Sequence, residues 1–139
     1  MISLGMSSVD PATALIDAFV RPARRARLRG LLGSAKGRAK LRAGLAHFHD
    51  LDPRYACLVP ASAESPAGIA ALLRARGAPA TCYALSEDTR LDGRALPLEE
   101  ALAQVVGRGM GTVLSCVPGR LAYYEGEEME ERYVLDRTG

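Results

Sequence analysis

The segment SPAGIAALLRARGAPATCYALS, residues 65–86, carries the pattern that decides the predicted fold. Ser65 is a good helix N-cap, and Pro66 suits the first helical position, where its missing N–H would be unpaired in any case. The helix ends near Gly77, and the run ATCYALS (80–86) follows as a short apolar strand bounded by turn residues. The segment therefore predicts a helix that leads directly into a buried strand.

Similar runs lie on both sides of this segment. YACLVPA (55–61) precedes it as a strand, PLEEALAQVVG (97–107) follows as a helix, and GTVLSCV (111–117) forms a third strand. Strand, helix, strand, helix, strand is the order of right-handed crossover connections, which join parallel strands. Because the three strand runs are apolar throughout, we expect them to run parallel in a sheet that is covered on both faces.

The rest of the chain adds helices before this unit and strands after it. Pro11, Pro22 and Ser34 mark the starts of three helices in the first third of the sequence. RLAYYEGE (120–127) and RYVLD (132–136) are two further strands, which are joined by an acidic turn and expected to pair antiparallel.

The predicted fold class is α/β, with basic N-terminal helices packed on a small mixed sheet. Three parallel strands with crossover helices and two antiparallel strands form this sheet. At 139 residues the chain is expected to fold as a single domain. Residues 1–54 form its helical basic portion, and residues 55–139 form its mixed-sheet portion.

Composition excludes several classes of protein. With 48% hydrophobic and 24% charged residues, the chain is typical of a globular domain and not of a disordered one. No apolar run approaches the roughly 18 residues of a membrane span, and residues 1–10 lack the basic flank and apolar core of an export signal. Cys57, Cys82 and Cys116 are odd in number and far apart, which favours reduced thiols. We therefore expect a cytoplasmic protein that does not associate with membranes.

Charge is distributed unevenly along the chain. Residues 1–54 carry ten Lys and Arg against four Asp, a formal charge of +6, whereas residues 55–139 carry eight against twelve acids, a charge of −4. Nine positive charges and no negative one lie within residues 21–42. Clustered guanidinium groups suit phosphate, because their planar fork donates two hydrogen bonds and is weakly hydrated.

The leading prediction is a non-catalytic protein whose basic helices contact a polyanion, most simply the nucleic-acid backbone. The basic stretch has no interleaved aromatic residues and no helix-turn-helix or RNA-binding signature, so neither base stacking nor sequence-specific readout is expected. The predicted binding residues are Arg21, Arg24, Arg25, Arg27, Arg29, Lys36, Arg38, Lys40 and Arg42.

A second hypothesis places a small-ligand or nucleotide site, or the site of a small hydrolase, at the carboxyl ends of the parallel strands. Loops and helix N-termini converge there in parallel sheets. No histidine occurs in that part of the chain to activate a serine or cysteine nucleophile, so no catalytic residue is assigned. The candidate residues are Ser65, Ser86, Glu87, Asp88, Ser115, Cys116, Arg120, Tyr124 and Glu125.

A third hypothesis is a protein-interaction module or a homodimer. The acidic turn between the last two strands would pair with the basic helices, either within one molecule or across a symmetric dimer or an acidic protein partner. Its carboxylates are Glu125, Glu127, Glu128, Glu130 and Glu131.

Two motifs that suggest ligands have simpler interpretations. LAHFHDLDPRY (45–55) holds both histidines, but on a helix His47 and His49 point about 200° apart, and no further histidine is available as a zinc ligand. GRGMG (107–111) follows a helix and enters a strand, which is the reverse of a phosphate-binding loop. We therefore expect neither a metal ion nor a cofactor.

Overall fold

The computed structural model describes residues 10–128 and 131–138. In this part of the chain, six strands form a sheet in the order β1-β6-β5-β4-β2-β3, and every neighbouring pair is antiparallel. The strands are β1 (Ala56–Leu58), β2 (Thr81–Ser86), β3 (Ala95–Pro97), β4 (Thr112–Val117), β5 (Leu121–Glu125) and β6 (Arg132–Asp136). The helices are α1 (Pro11–Phe19), α2 (Pro22–Leu31), α3 (Ala35–Ala43), α4 (Pro66–Ala75) and α5 (Leu98–Val105).

The predicted set of three parallel strands is wrong. β2 and β4 pair antiparallel, with Tyr83 opposite Ser115 and Ser86 opposite Thr112. β1 lies at the far edge of the sheet and pairs with β6. β1 and β2 do run in the same direction, because the strands alternate along the sheet, but β6, β5 and β4 separate them.

The short strand β3, which the sequence did not reveal, explains the reversal of β4. After β2, the chain turns back through Gly93, which has a φ of +81°, and β3 pairs with β2 as a hairpin. Helix α5 therefore begins at the start of β2, where the Leu98 N–H donates to the carbonyl of Ala80. It returns the chain to the end of β2, and β4 enters the sheet antiparallel to β2.

The local elements that capping residues predicted are present. Ser34 and Ser65 accept hydrogen bonds from the Gly37 and Gly68 N–H groups at 3.0 and 2.9 Å, and so cap α3 and α4. The last two predicted strands exist as β5 and β6, and their antiparallel pairing is confirmed.

Helices cover both faces of the sheet. One face carries α4 and α5 over a core that includes Ile69, Leu73, Leu102, Leu114 and Tyr123. The other face carries α1 and the segment after α3 over a second core, formed chiefly by Leu15, Phe19, Leu45, Val113, Tyr124 and Leu135. Burying each such side chain contributes about 1.5–3 kcal/mol, so these cores hold the three layers together.

Helices α2 and α3 form a hairpin that packs on α1. Leu28 is the buried residue of α2, and it meets Leu41 of α3 and two α1-side residues, Ile16 and Val20, in a small third core. A Cβ atom at Gly37 would overlap the backbone of Leu31, so glycine permits the close approach of the two helices. The hairpin thus leaves most of its polar surface open to solvent.

Candidate functional site

The nine basic residues of the α2–α3 hairpin fall into two groups. Four form ion pairs with aspartates, whereas the other five form none with the carboxylates of residues 10–128 and 131–138. The pairs are Arg24 with Asp50 (3.3 Å), Arg29 with Asp17 (2.6 Å), Arg38 with Asp10 (3.2 Å) and Arg42 with Asp92 (3.4 Å). The second group is Arg21, Arg25, Arg27, Lys36 and Lys40. The four pairs leave a net charge of +5 on this surface.

The acidic turn contributes no partner to these cations within the described residues. Glu125 is buried, Glu127 Oε1 lies 3.2 Å from His47 Nε2, and Glu131 Oε1 accepts the N–H of Glu128 at 3.2 Å. Glu130 lies outside the described residues. The intramolecular pairing between this turn and the basic helices, one alternative of the third hypothesis, is therefore not seen in this part of the chain.

A groove of about 370 Å³ lies between α2 and α3, and we call it the basic groove. Its apolar floor consists of Leu28, Leu31, Leu41 and Phe48. Its polar lining consists of Arg24, Arg27, Lys40, His47, His49 and Asp50. Of the three Lys and Arg side chains in this lining, Arg27 and Lys40 have no carboxylate partner among the described residues.

The histidine-containing segment lines this groove without forming a metal site. It is a 3₁₀ turn over Leu45–His47 that becomes extended at Phe48, and it is not the continuation of α3 that the helical spacing suggested. Among the residues described, no group of three or more His, Cys, Asp and Glu side chains is arranged to hold a metal ion. His47 instead pairs with Glu127, and Asp50 pairs with Arg24.

A second recess of about 250 Å³ adjoins the basic groove, and we call it the aromatic recess. It shares Phe48 and His49 with the groove and is further lined by Arg21, Leu51, Pro53, Ala56, Tyr124, Glu131 and Tyr133. The Tyr124 ring centroid lies 6.5 Å from that of Phe48 and 6.4 Å from that of Tyr133, and the two tyrosine rings are stacked at 26°. Three rings thus line a recess that Arg21 also lines.

Tyr124 forms the rigid part of this recess. Its hydroxyl donates to the carbonyl of Leu45 at 2.6 Å and accepts the N–H of Phe48 at 3.3 Å. Burial raises the pKa of Tyr124 to about 12, so the hydroxyl remains a donor at neutral pH. The sequence interpretation placed Tyr124 in a different site and did not use Phe48 or Tyr133 for binding.

Asp52 anchors the end of the histidine-containing segment and gives a testable pH dependence. Its hydrogen bond to the Arg54 side chain, at 2.7 Å, lowers the pKa of Asp52 to about 2. Stability from a carboxyl with a depressed pKa is complete above the unfolded value of 3.8 and is lost as the pH falls towards 2. We expect Asp52→Asn to unfold more easily than the wild type at pH 7 and to lose less stability between about pH 4 and 2. Urea midpoints across this pH range measure both effects, and an identical pH dependence of the two proteins would contradict the assignment.

The predicted site at the strand ends is not assembled, because the strands are antiparallel. Ser86 is the last residue of β2, and Glu87 and Asp88 follow it, next to the start of β4. Glu125 lies opposite Thr112, in line with Ser86, and Tyr124 lines the aromatic recess, whereas the remaining predicted residues have other surroundings. Ser115 and Cys116 lie further along β4, Arg120 lies in the turn before β5, and Ser65 caps α4. Cys116 is buried in the core, where desolvation raises its pKa to about 12, which makes it a poor nucleophile.

A buried polar row crosses four strands of the sheet and was missed in the sequence. Ser86, Thr112, Glu125 and Arg132 lie opposite one another in register, and all four are buried. The hydroxyls of Ser86 and Thr112 are 2.7 Å apart. Arg132 Nε lies 3.5 Å from Glu125 Oε1, and its Nη1 lies 3.4 Å from Glu64 Oε2. The signal was the two-residue alternation that places Glu125 on the same face as Tyr123 and Leu121.

Glu125 also explains the three-glycine loop. It accepts the N–H groups of Gly107 at 3.1 Å and Gly109 at 3.2 Å, together with the Tyr123 hydroxyl at 2.8 Å. Gly107 and Gly109 both have positive φ, at +85° and +68°, a conformation that disfavours residues with a Cβ. The loop therefore binds an internal carboxylate, and its glycines serve the fold.

Comparison with protein-family models, curated proteins and solved structures finds no match to this chain. No helix in residues 10–128 and 131–138 combines the length and apolar character needed to cross a membrane. Fold and surface define an α/β protein with an antiparallel sheet, helices on both faces and a cationic helical hairpin. The functional proposal therefore rests on this hairpin.

Proposed function

We propose that the α2–α3 hairpin binds a polyanion, specifically the phosphate backbone of nucleic acid, without sequence specificity and without catalysis. The observation that carries this proposal is the set of five cations without a carboxylate partner in the described residues, two of which, Arg27 and Lys40, line the basic groove. The buried cysteines Cys82 and Cys116, which are free thiols, support a reducing compartment such as the cytoplasm.

The energetics of this surface favour an anionic partner. Like charges on neighbouring turns of a helix repel each other, so the cluster is a cost to folding that an anion offsets. Each phosphate that is neutralised releases condensed counterions, which makes the affinity fall steeply as salt rises. The side chains would contact phosphate in two ways. Arg27 offers a planar fork that can donate two hydrogen bonds, whereas Lys36 and Lys40 offer mobile point charges.

Replacing Arg27, Lys36 and Lys40 by glutamine tests the proposal. We expect weaker binding to a generic oligonucleotide and a plot of log K against log salt whose slope is smaller by about 2 to 3, at 0.7–0.9 per lost contact. Fluorescence anisotropy between about 50 and 200 mM salt measures both quantities. Arg94, Arg108 and Arg120, replaced together by glutamine, form the control, because they are exposed, are not ion-paired among the described residues and carry the same total charge.

Three results would overturn the proposal. The first is the absence of binding to DNA and RNA at low salt, and the second is an equal loss of binding in the control variant. The third is a dimer that forms at low salt and is lost in the Arg27, Lys36 and Lys40 variant without any nucleic-acid binding. That result would assign the hairpin to pairing with the acidic turn of a second copy or with an acidic protein.

A further inference from the structure

The basic groove and the aromatic recess meet at Phe48 and His49, which line both. A ligand that lies in the groove can therefore extend into the adjoining recess. The basic stretch itself contains no aromatic residue, but the fold supplies rings from distant segments. Tyr124 and Tyr133 are opposite each other on β5 and β6, and both face the α1 side of the sheet.

The aromatic recess has the size and surface for one flat ring. Its volume is about 250 Å³, and three aromatic side chains are among its lining residues. Tyr133 is half-buried and stacked on Tyr124, while Tyr124 is fixed by its hydrogen bonds to the Leu45 carbonyl and the Phe48 N–H. A preorganised aromatic surface of this kind stacks nucleobases of any sequence, because every base has a π-face.

The charges around the recess orient such a ligand. Arg21 lies at the recess on the side of α2, and His49 lies between the recess and the groove. Glu131 also lines the recess, and its carboxylate repels phosphate while accepting hydrogen bonds from ring or amino N–H groups. These charges suit a ligand whose ring occupies the recess and whose phosphates lie over the cations.

We propose that the hairpin prefers single-stranded nucleic acid and holds one unpaired base in the aromatic recess against Tyr133. This inference rests on the proposed function, since it names the kind of polyanion that the hairpin binds. A base inside a duplex is stacked on both faces and paired at its edge, so it cannot enter the recess without being flipped out.

The test compares three probes that carry the same number of phosphates on the wild-type protein. They are a single-stranded oligonucleotide of about ten residues, a duplex that presents the same number of phosphates, and a single strand of abasic residues. We expect the single strand with bases to bind about 5- to 100-fold more tightly than the abasic strand at the same salt concentration. The slopes of log K against log salt should agree for these two probes, because stacking releases no counterions.

Tyr133→Leu should lose this preference and bind the two single strands alike. Tyr133→Phe keeps the ring and should bind like the wild type, which separates loss of stacking from loss of folding. Tyr83→Leu is the matched control, because Tyr83 is a half-buried tyrosine on β2, with β5 and β4 between it and β6. Equal affinity of the wild type for all three probes, or an unchanged preference in Tyr133→Leu, would overturn the inference and leave the proposed function standing. Absence of binding to every probe would overturn both.

Discussion

Glu125→Ala is expected to lower the free energy of unfolding by about 3–5 kcal/mol. The Glu125 side chain is 1% exposed, and its removal leaves three donors without their acceptor, the N–H groups of Gly107 and Gly109 and the Tyr123 hydroxyl. It also leaves the Arg132 guanidinium with Glu64 as its remaining carboxylate neighbour. A buried charge or donor without a partner carries its full desolvation cost, and this cost is the source of the large effect.

Urea denaturation at neutral pH measures this effect, and Glu99→Ala provides the control. Glu99 is an exposed glutamate on α5 that pairs with Arg74, and a surface ion pair contributes at most about 1 kcal/mol. A loss in Glu125→Ala no larger than the loss in Glu99→Ala would show that the polar row is not a stabilising network. Adding Arg132→Met to Glu125→Ala should recover part of the loss, because it removes the uncompensated guanidinium.

The sequence predicts the local elements because short-range chemistry determines them. Ser34 and Ser65 cap helices through hydrogen bonds that span three residues, and an apolar run such as ATCYALS has few alternatives to a strand. The same patterns carry no information about the direction of the partner strand. β3 decides that direction, and it has three residues, of which Leu96 is the buried one, so it leaves almost no periodic signal.

The sequence predicts the part of the candidate site that depends on charge. It does not predict the part that depends on which strands pair. The excess of cations in α2 and α3 is visible in the composition, and six of the nine are exposed, whereas Arg24, Arg25 and Arg42 are partly buried. The aromatic recess is not visible, because the strand register between β5 and β6 brings Tyr124 and Tyr133 together next to Phe48. Glu125 was assigned to the strand-end ligand site and to the acidic turn, although the strand period placed it on the buried face.

Gly111→Ala is expected to be the other strongly destabilising substitution, because Gly111 lies directly against the backbone of the histidine-containing segment. A Cβ atom at Gly111 would overlap the backbone of Leu45 and Ala46. The Gly111 N–H donates to Glu87 Oε2 at 2.6 Å and its carbonyl accepts the Glu87 N–H at 3.0 Å, so β4 cannot move away without losing these bonds. Overpacking of a rigid contact costs about 1–3 kcal/mol, and a contact between two backbones belongs at the upper end of this range.

Relief of this overlap would displace the segment that contains Phe48 and His49, so the substitution connects stability with binding. Gly111→Ala should lower the urea midpoint. It should also lower the preference for single strands with bases over abasic strands, because Phe48 and His49 border the aromatic recess. Gly30→Ala is the control, since Gly30 lies in α2 with open space around the position of a Cβ atom, and alanine should stabilise that helix by about 0.4–1 kcal/mol. If the urea midpoint of Gly111→Ala equalled that of the wild type, the sheet and the histidine-containing segment would not be in rigid contact. The position of Phe48, on which the recess depends, would then need another cause.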